Sequence, residues 1–361
     1  MKTILHVVGA RPNFMKIAPL MEAVALGNGI RQVLVNTGQH YDDAMSLAFI
    51  RELGLPTPDY DLGVGSASHA VQTARVMMEF EKVCLEVSPH LVVVVGDVNS
   101  TLAASLVAAK MCIPIAHVEA GLRSGDRTMP EEVNRIVTDR LSDVLLAPSA
   151  DAVDNLRAEG EPDNEIHLVG NIMIDSLLRH LPAATLDRVR DRIDVGSGAY
   201  AVLTLHRPSN VDDPPTLQRI LDAVLGIARD IPVVFPVHPR TRQRLADARL
   251  DRDGARLVLM EPLGYVDFLS LTSHARLILT DSGGLQEEST ALGIPCLTLR
   301  ENTERPITVA EGTNQVVGTQ TADILAGYRR AFTSATSRRP ALWDGQAAVR
   351  MARVLRDVLA L

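Results

Sequence analysis

Short runs of aliphatic and β-branched residues recur through the first half of the chain: ILHVV near residue 6, QVLVN near 34, LVVVV at 91–95, IPIAHV at 113–118, VLLA at 144–147 and IHLVG at 166–170. Amphipathic segments such as 70–87 and 101–110 separate them and have the length of crossover helices. Strands this uniformly apolar bury both faces, which predicts an α/β fold with a parallel, doubly wound sheet. The series then starts again with AVLTL at 201–205, VVFPV at 233–237, RLVLM at 256–260, LILT at 277–280, PCLTL at 295–299 and QVV near 316.

A chain of 361 residues exceeds one ordinary core. Two series of six therefore predict two Rossmann-like domains, residues 1–170 and 171–345, facing one another across a cleft. Residues 171–181 read as a bridging helix and the polar stretch 182–198 as the lead into the second domain. Met351, Val354, Leu355, Val358 and Leu359 share one helical stripe. They predict a terminal helix over 346–361 able to dock on either domain, with the first expected.

Net charge is −8, 44 acidic against 36 basic residues, and aromatics make up 3%. Nucleic-acid binding wants a basic face and stacking rings, so it is not expected here. No run approaches the roughly 18 apolar residues of a membrane span, and the first residues lack an apolar stretch of signal-peptide length. Cys84, Cys112 and Cys296 are few, odd in number and scattered. That usage suits a reducing, cytoplasmic compartment and argues against a disulfide framework.

Ligands of doubly wound sheets bind beyond the carboxyl ends of the strands. At the first such end, VVGARPNFMK offers Arg11 and Lys16 as two cations near a helix start. Asp97 follows Gly96 after LVVVV and can be read as a helix cap or as an acid. The next strand ends in His117 and Glu119, which puts two carboxylates on adjacent strand tips. His117-x-Glu119 is similar to the HxE of zinc deaminases, but no PCxxC follows, so no metal is expected. Gly63 to Gly65 follows no apolar strand and no GxGxxG occurs in the chain, so NAD is unsupported. The whole stretch 113–135 is dense in charge, with Glu119, Asp126, Glu131, Glu132, Arg123, Arg127 and Arg135 around His117. Buried carboxylates are costly unless paired, so this stretch is a salt-bridged knot, an acid/base site, or both, with Glu132 and Arg135 read as a structural pair.

In the second half, His206 and Arg207 end one strand and His238 with Arg240 another, an arrangement suited to an anion. LILTDSGGLQEEST places Ser282, Gly283 and Gly284 between a strand and a helix, where backbone N–H groups and the helix amino end can receive a diphosphate. Glu287 or Glu288 could accept the hydroxyls of a ribose. Anion groups in one domain and carboxylates in the other describe a nucleotide-sugar site.

With these motifs in order, the chain resembles the non-hydrolysing UDP-N-acetylglucosamine 2-epimerases. The likeness rests on GARPNFMK, NTGQH, GDVNST, HVEAGLRSGD, PEEVNR, VGNIMID, TLHRPSNVD, TDSGGLQEE and ENTERPITVAEGTN, nearly end to end. The resemblance implies a GT-B-like fold, catalytic roles for Asp97, Glu119, Glu131 and His206, and UDP held by Arg11, Ser282, Gly283, Gly284 and Glu288, with Phe268 near the uracil. Lys16, Arg135, Arg207, His238 and Arg305 complete the expected substrate-binding set. It also implies a homodimer, a UDP-sugar substrate, and elimination to a 2-acetamidoglucal followed by re-addition of UDP, a reaction with no redox cofactor and no obligatory metal.

Two departures from the family pattern stand out. Where many bacterial members carry an Arg-Gln pair that helps bind a second, activating UDP-GlcNAc, this chain has Ser68 and His69. Where many have HRREN it has HRPSN, so Ser209 replaces a glutamate. Competing readings are an epimerase of UDP-2,3-diacetamido-hexuronic acid, a hydrolysing epimerase, a GT-B glycosyltransferase and a non-catalytic nucleotide-sugar sensor. The hydrolysing relatives show an HxxGGE-like pattern where this chain has HVEAG.

Overall fold

The structure is a computed structural model. It describes residues 1–38, 54–193, 195, 198–237, 239–245, 254–333 and 339–361, with Arg11, Pro239 and Arg240 described by their backbone alone. Gln39 and His40 of the NTGQH motif, and His238, lie outside the described residues.

By its internal contacts the chain divides into two compact units, Met1–Ser176 with Ala341–Leu361, and Leu177–Pro340. The first carries a parallel sheet of β1 (Lys2–Val8), β2 (Ile30–Asn36), β3 (Tyr60–Asp61), β4 (Leu91–Val95), β5 (Ile115–Val118), β6 (Val144–Ala147) and β7 (Ile166–Leu168), in the order β3-β2-β1-β4-β5-β6-β7. All five residues of LVVVV in β4 are buried, because β4 is hydrogen-bonded on both edges and helices cover both faces. Six of these strands follow the apolar runs. The seventh, β3, is a two-residue edge strand paired through Val35 and Asn36, too short to give a sequence period.

The second unit repeats the plan with β8 (Ala201–Thr204), β9 (Val233–Pro236), β10 (Leu257–Met260), β11 (Leu277–Thr280), β12 (Cys296–Thr298) and β13 (Asn314–Val316), ordered β10-β9-β8-β11-β12-β13. In both sheets the chain builds outward in one direction and then returns to the other side of its first strand. The switch points lie between β1 and β4 and between β8 and β11, the places where such sheets bind ligands.

The helices start where local chemistry directs. Ser68 accepts the Val71 N–H to begin His69–Val87, and Asp213 accepts that of Thr216 ahead of Pro214 and Pro215 to begin Pro214–Ile227.

The helix Ile172–His180 spans the change of unit. The first unit keeps its opening turns because the Asp175 carboxylate accepts the N–H groups of Ala347 and Ala348, and the Ser176 hydroxyl donates to the Met15 carbonyl. The last helix, Ala347–Val358, thus belongs with the first unit. Met351 and Leu355 are buried and Arg356 donates to the Val24 carbonyl, whereas Val358, read as part of the apolar stripe, is exposed. The stretch 182–198 does more than connect: Val189 and Ile193 are buried in a core cluster with Tyr200, Val202 and Ile278.

Candidate active site

At the first switch point, β1, β4 and β5 bring together groups far apart in sequence. Lys16, on the helix Arg11–Ala25, forms a buried ion pair through Nζ with Glu119 Oε2. The charge read as available to a phosphate is therefore engaged by a carboxylate. The other Glu119 oxygen, Oε1, is buried with no partner among the described residues. Glu119 also has φ +73°, a left-handed conformation that costs a non-glycine residue roughly 1–2 kcal/mol. Strain and an unsatisfied buried oxygen in one residue are features of functional sites.

Gly96, at φ +68°, turns the tip of β4 beside this pair. A Cβ there would stand 3.5 Å from Lys16 Nζ and 3.6 Å from Glu119 Oε2. Asn13 locks the two strand tips together, its side-chain oxygen accepting the Gly9 and Ala10 N–H groups and its nitrogen donating to the Val95 carbonyl.

Asp97, next after Gly96, is half-buried, and its Oδ2 lies 2.5 Å from the Arg135 guanidinium. Arg135 is held in turn by Glu132 at 2.9 Å, so the expected pair is present and one end of it grips Asp97. Burial would raise Glu132, but the Ser124 and Gly125 N–H groups and Arg135 bring it below the usual carboxylate range. Glu131 sits half-buried in the first turn of the helix Pro130–Leu141. Asp126 accepts the Thr128 N–H and hydroxyl and so shapes its own turn.

At the second switch point, the His206 Nδ1 lies 2.8 Å from Asp281 Oδ1. Asp281 is fully buried and also accepts the backbone N–H groups of His206 and Arg207 and the Asn210 side-chain amide. Burial works to raise this carboxyl, and His206 with those N–H donors outweighs it, holding Asp281 below its ordinary value. The His206 side chain is about half exposed, at 51%. With Nδ1 facing Asp281, Nε2 is the ring nitrogen left for chemistry.

Ser282 begins the helix Gly283–Leu292 without a side-chain capping bond. A Cβ on Gly284 would meet nothing within 4 Å, and one on Gly283 only Glu304 Oε2 at 3.6 Å. Uncapped N–H groups under an open surface suit an anion. Beside this turn Glu304 accepts both Arg300 nitrogens at 2.8 and 2.9 Å and stands 3.4 Å from Arg207. Against the effect of burial, these arginines and Arg305 bring Glu304 down to about 2.

Arg305 is paired with Glu287 at 2.5 Å, which leaves Glu288 as the freer of the two adjacent glutamates. Glu288 is buried with the Tyr265 hydroxyl 3.4 Å away. Burial pushes its carboxyl up to about 7 against the opposing hydrogen bond. Phe268 packs half-buried against the core cluster of this unit. At the first departure from the family pattern, Ser68 caps a helix and the His69 ring lies beside the Asn99 side-chain amide; at the second, Ser209 is exposed.

The family model described as UDP-N-acetylglucosamine 2-epimerase matches residues 22–356. The chain belongs to this family. A UDP-N-acetylglucosamine 2-epimerase of Methanocaldococcus jannaschii is 41% identical over 357 residues, 97% of each protein. A UDP-2,3-diacetamido-2,3-dideoxy-D-glucuronate 2-epimerase of Pseudomonas aeruginosa is 40% identical over 359 residues, 98% of this chain and 99% of that protein. The crystal structure of the M. jannaschii UDP-GlcNAc 2-epimerase in complex with UDP-GlcNAc and UDP superposes with a TM-score of 0.89 at 40% identity, covering 99% of this chain and 100% of the other. As a member of the UDP-N-acetylglucosamine 2-epimerase family, the chain is an isomerase with two parallel-sheet α/β domains of GT-B-like fold. Among the described residues no helix is long and apolar enough to cross a membrane.

Of the expected site residues, the first unit gathers Lys16, Asp97, Glu119 and Arg135, with Glu131 one position before Glu132. The second gathers His206, Arg207, the 282–284 turn, Glu288 and Arg305. Asp139, Asp281, Asn13 and Glu304 were not among the expected residues. Asp281, Asn13 and Glu304 lie inside the motifs TDSGGLQEE, GARPNFMK and ENTERPITVAEGTN, whereas Asp139 lies outside every motif that carried the resemblance.

Proposed function

We propose that the chain is a non-hydrolysing 2-epimerase interconverting UDP-GlcNAc and UDP-ManNAc. The observation that carries this reading is Glu119: a strained, buried carboxylate with one oxygen fixed by Lys16 and the other unpartnered among the described residues, directly after the strand neighbouring the one that presents Asp97. The C2 hydrogen of the sugar has no adjacent carbonyl to acidify it, so it can leave only as the C1–O bond to UDP breaks. A base takes the C2 proton, the C2–H electron pair becomes the C1=C2 bond, the C1–O pair leaves on the diphosphate oxygen of UDP, and 2-acetamidoglucal results. UDP oxygen then re-adds to C1 while an acid protonates C2 from the other face.

Asp97, Glu119 and Glu131 form the acid/base set of this proposal. Arg11, His206, Arg207 and the N–H groups of Ser282, Gly283 and Gly284 stabilise the charge growing on diphosphate, Glu288 receives the ribose hydroxyls, and Phe268 borders the uracil. Arg135, Lys16 and Arg305 act by holding Asp97, Glu119 and Glu287, and His238 adds a further contact to the anion.

The near-equal identity to the P. aeruginosa diacetamido-glucuronate enzyme favours that sugar as the second reading. Incubation with each UDP-sugar in D2O, followed by NMR at C2, tests both. Deuterium at C2 with intact UDP-ManNAc supports the first, and exchange confined to the diacetamido-hexuronate supports the second. Released free sugar would favour hydrolysis, while binding without exchange of either sugar overturns the epimerase reading. A cytoplasmic homodimer completes the proposal, and a solution mass equal to one chain would refute the dimer.

A further inference from the structure

The helix Pro130–Leu141 buries Glu132, Asn134, Arg135, Thr138 and Asp139, all of them polar. A helix ordinarily turns an apolar stripe inward, and buried polar groups are costly unless partnered. Here three of the five act on the strand tips that carry the acids, and Glu132 acts on the loop after β5. Asn134 donates to the Asp97 carbonyl at 2.8 Å, Arg135 holds the Asp97 carboxylate, and Glu132 accepts the Ser124 and Gly125 N–H groups. Asp139 reaches furthest, taking the Gly121 N–H at 3.0 Å, the Arg123 guanidinium at 2.7 Å and His117 Nδ1 at 2.5 Å.

His117 is fully buried, and its second ring nitrogen, Nε2, lies 2.8 Å from the Gly96 carbonyl oxygen. Both nitrogens thus face acceptors. A neutral imidazole has one N–H and could satisfy only one of them. The Asp139 carboxylate is held ionised by the Gly121 N–H and the Arg123 guanidinium on its second oxygen, which makes it the counter-charge for a ring with two hydrogens. The ring meets the Asp139 carboxylate from the helix and the Gly96 carbonyl from the β4 tip, with the Arg123 guanidinium on the far oxygen of Asp139; of the other charged groups nearby in the chain, Asp97 follows Gly96 and Glu119 lies just past the end of β5.

We propose that His117 is a positioning residue that carries a hydrogen on both ring nitrogens and ties the Gly96 carbonyl to Asp139, fixing the strand tip that presents Asp97 beside Glu119. The proposal rests on the reading of those two acids as the acid/base groups.

Its test begins with the unmodified protein, 15N-labelled at histidine, in ligand-free solution at neutral pH, with the His117 signals assigned by their loss in His117→Gln. Two protonated ring nitrogens are expected. Asp139→Asn should then lower kcat for C2 exchange by up to about 100-fold, the scale of a small misplacement of a reacting group. KM and UDP affinity should stay within a few-fold, and Asp139→Glu should restore part of the rate. A ring with one hydrogen, or an Asp139→Asn variant as fast as the unmodified chain, overturns this proposal alone. Failure of the unmodified protein to exchange C2 overturns the epimerase reading and this proposal together. The ring measurement decides the matter even if the Asp139 variants do not fold.

Discussion

Asp281 holds His206 twice, accepting its backbone N–H at 3.0 Å and facing its Nδ1 at 2.8 Å. One buried carboxylate therefore sets both the path of the loop after β8 and the orientation of the ring. In Asp281→Asn the amide can turn its NH2 toward Nδ1 and favour the wrong tautomer. Turnover should fall by at least about 100-fold, with UDP affinity within a few-fold. Isothermal titration with UDP alongside C2 exchange checks this, and a turnover loss matched by an equal loss of UDP affinity would refute an orienting role.

The Lys16–Glu119 pair should be a poor source of stability but costly to break. Lys16→Met leaves a buried carboxylate unpaired and should destabilise the fold by about 3–5 kcal/mol. Lys16→Met combined with Glu119→Leu should recover most of that loss while remaining without turnover. Urea unfolding of the single and double variants measures the coupling, and simple additivity of the two losses would contradict it.

Gly96→Ala isolates a backbone effect beside the acids. The added Cβ would find Asn13 Nδ2 at 3.4 Å and Lys16 Nζ at 3.5 Å, ordinary contacts, so its cost comes from φ +68°. A stability loss of about 1–2 kcal/mol is expected, with a fall in kcat and unchanged UDP affinity. An unfolded variant would show that the contacts are tighter than they look.

Glu288 should make stability depend on pH. Its carboxyl is raised from the ordinary 4.5 to about 7 by burial, so the folded chain keeps a proton that the unfolded chain releases. Its contribution is full below the unfolded value and is lost as pH climbs through about 7, a change of order 3 kcal/mol. Glu288→Gln should flatten the loss of stability between about pH 5 and pH 8 measured by urea unfolding. An unaltered slope would show that another group carries it.

The alternation of apolar runs and amphipathic spacers determined the parallel α/β class, the twelve principal strands and the two-unit organisation, because burial on both faces is written into each run independently of its neighbours. The glycines of TDSGG likewise announced an open helix start by themselves. The edge strand β3 had no such signal, since two residues make no period.

What only the tertiary structure decided is who pairs with whom. Lys16 and Glu119 are 103 residues apart, Asp97 and Arg135 38, and His206 and Asp281 75. A carboxylate looks the same in sequence whether it is a helix cap, half of an ion pair or an acid awaiting a proton. The crossed strand order places β4 next to β1, and β11 next to β8, and so determines which charges meet. In the stretch 113–135, that order gives Arg135 to Asp97 and Lys16 to Glu119, and it sends His117 to Asp139, a partner outside the stretch altogether.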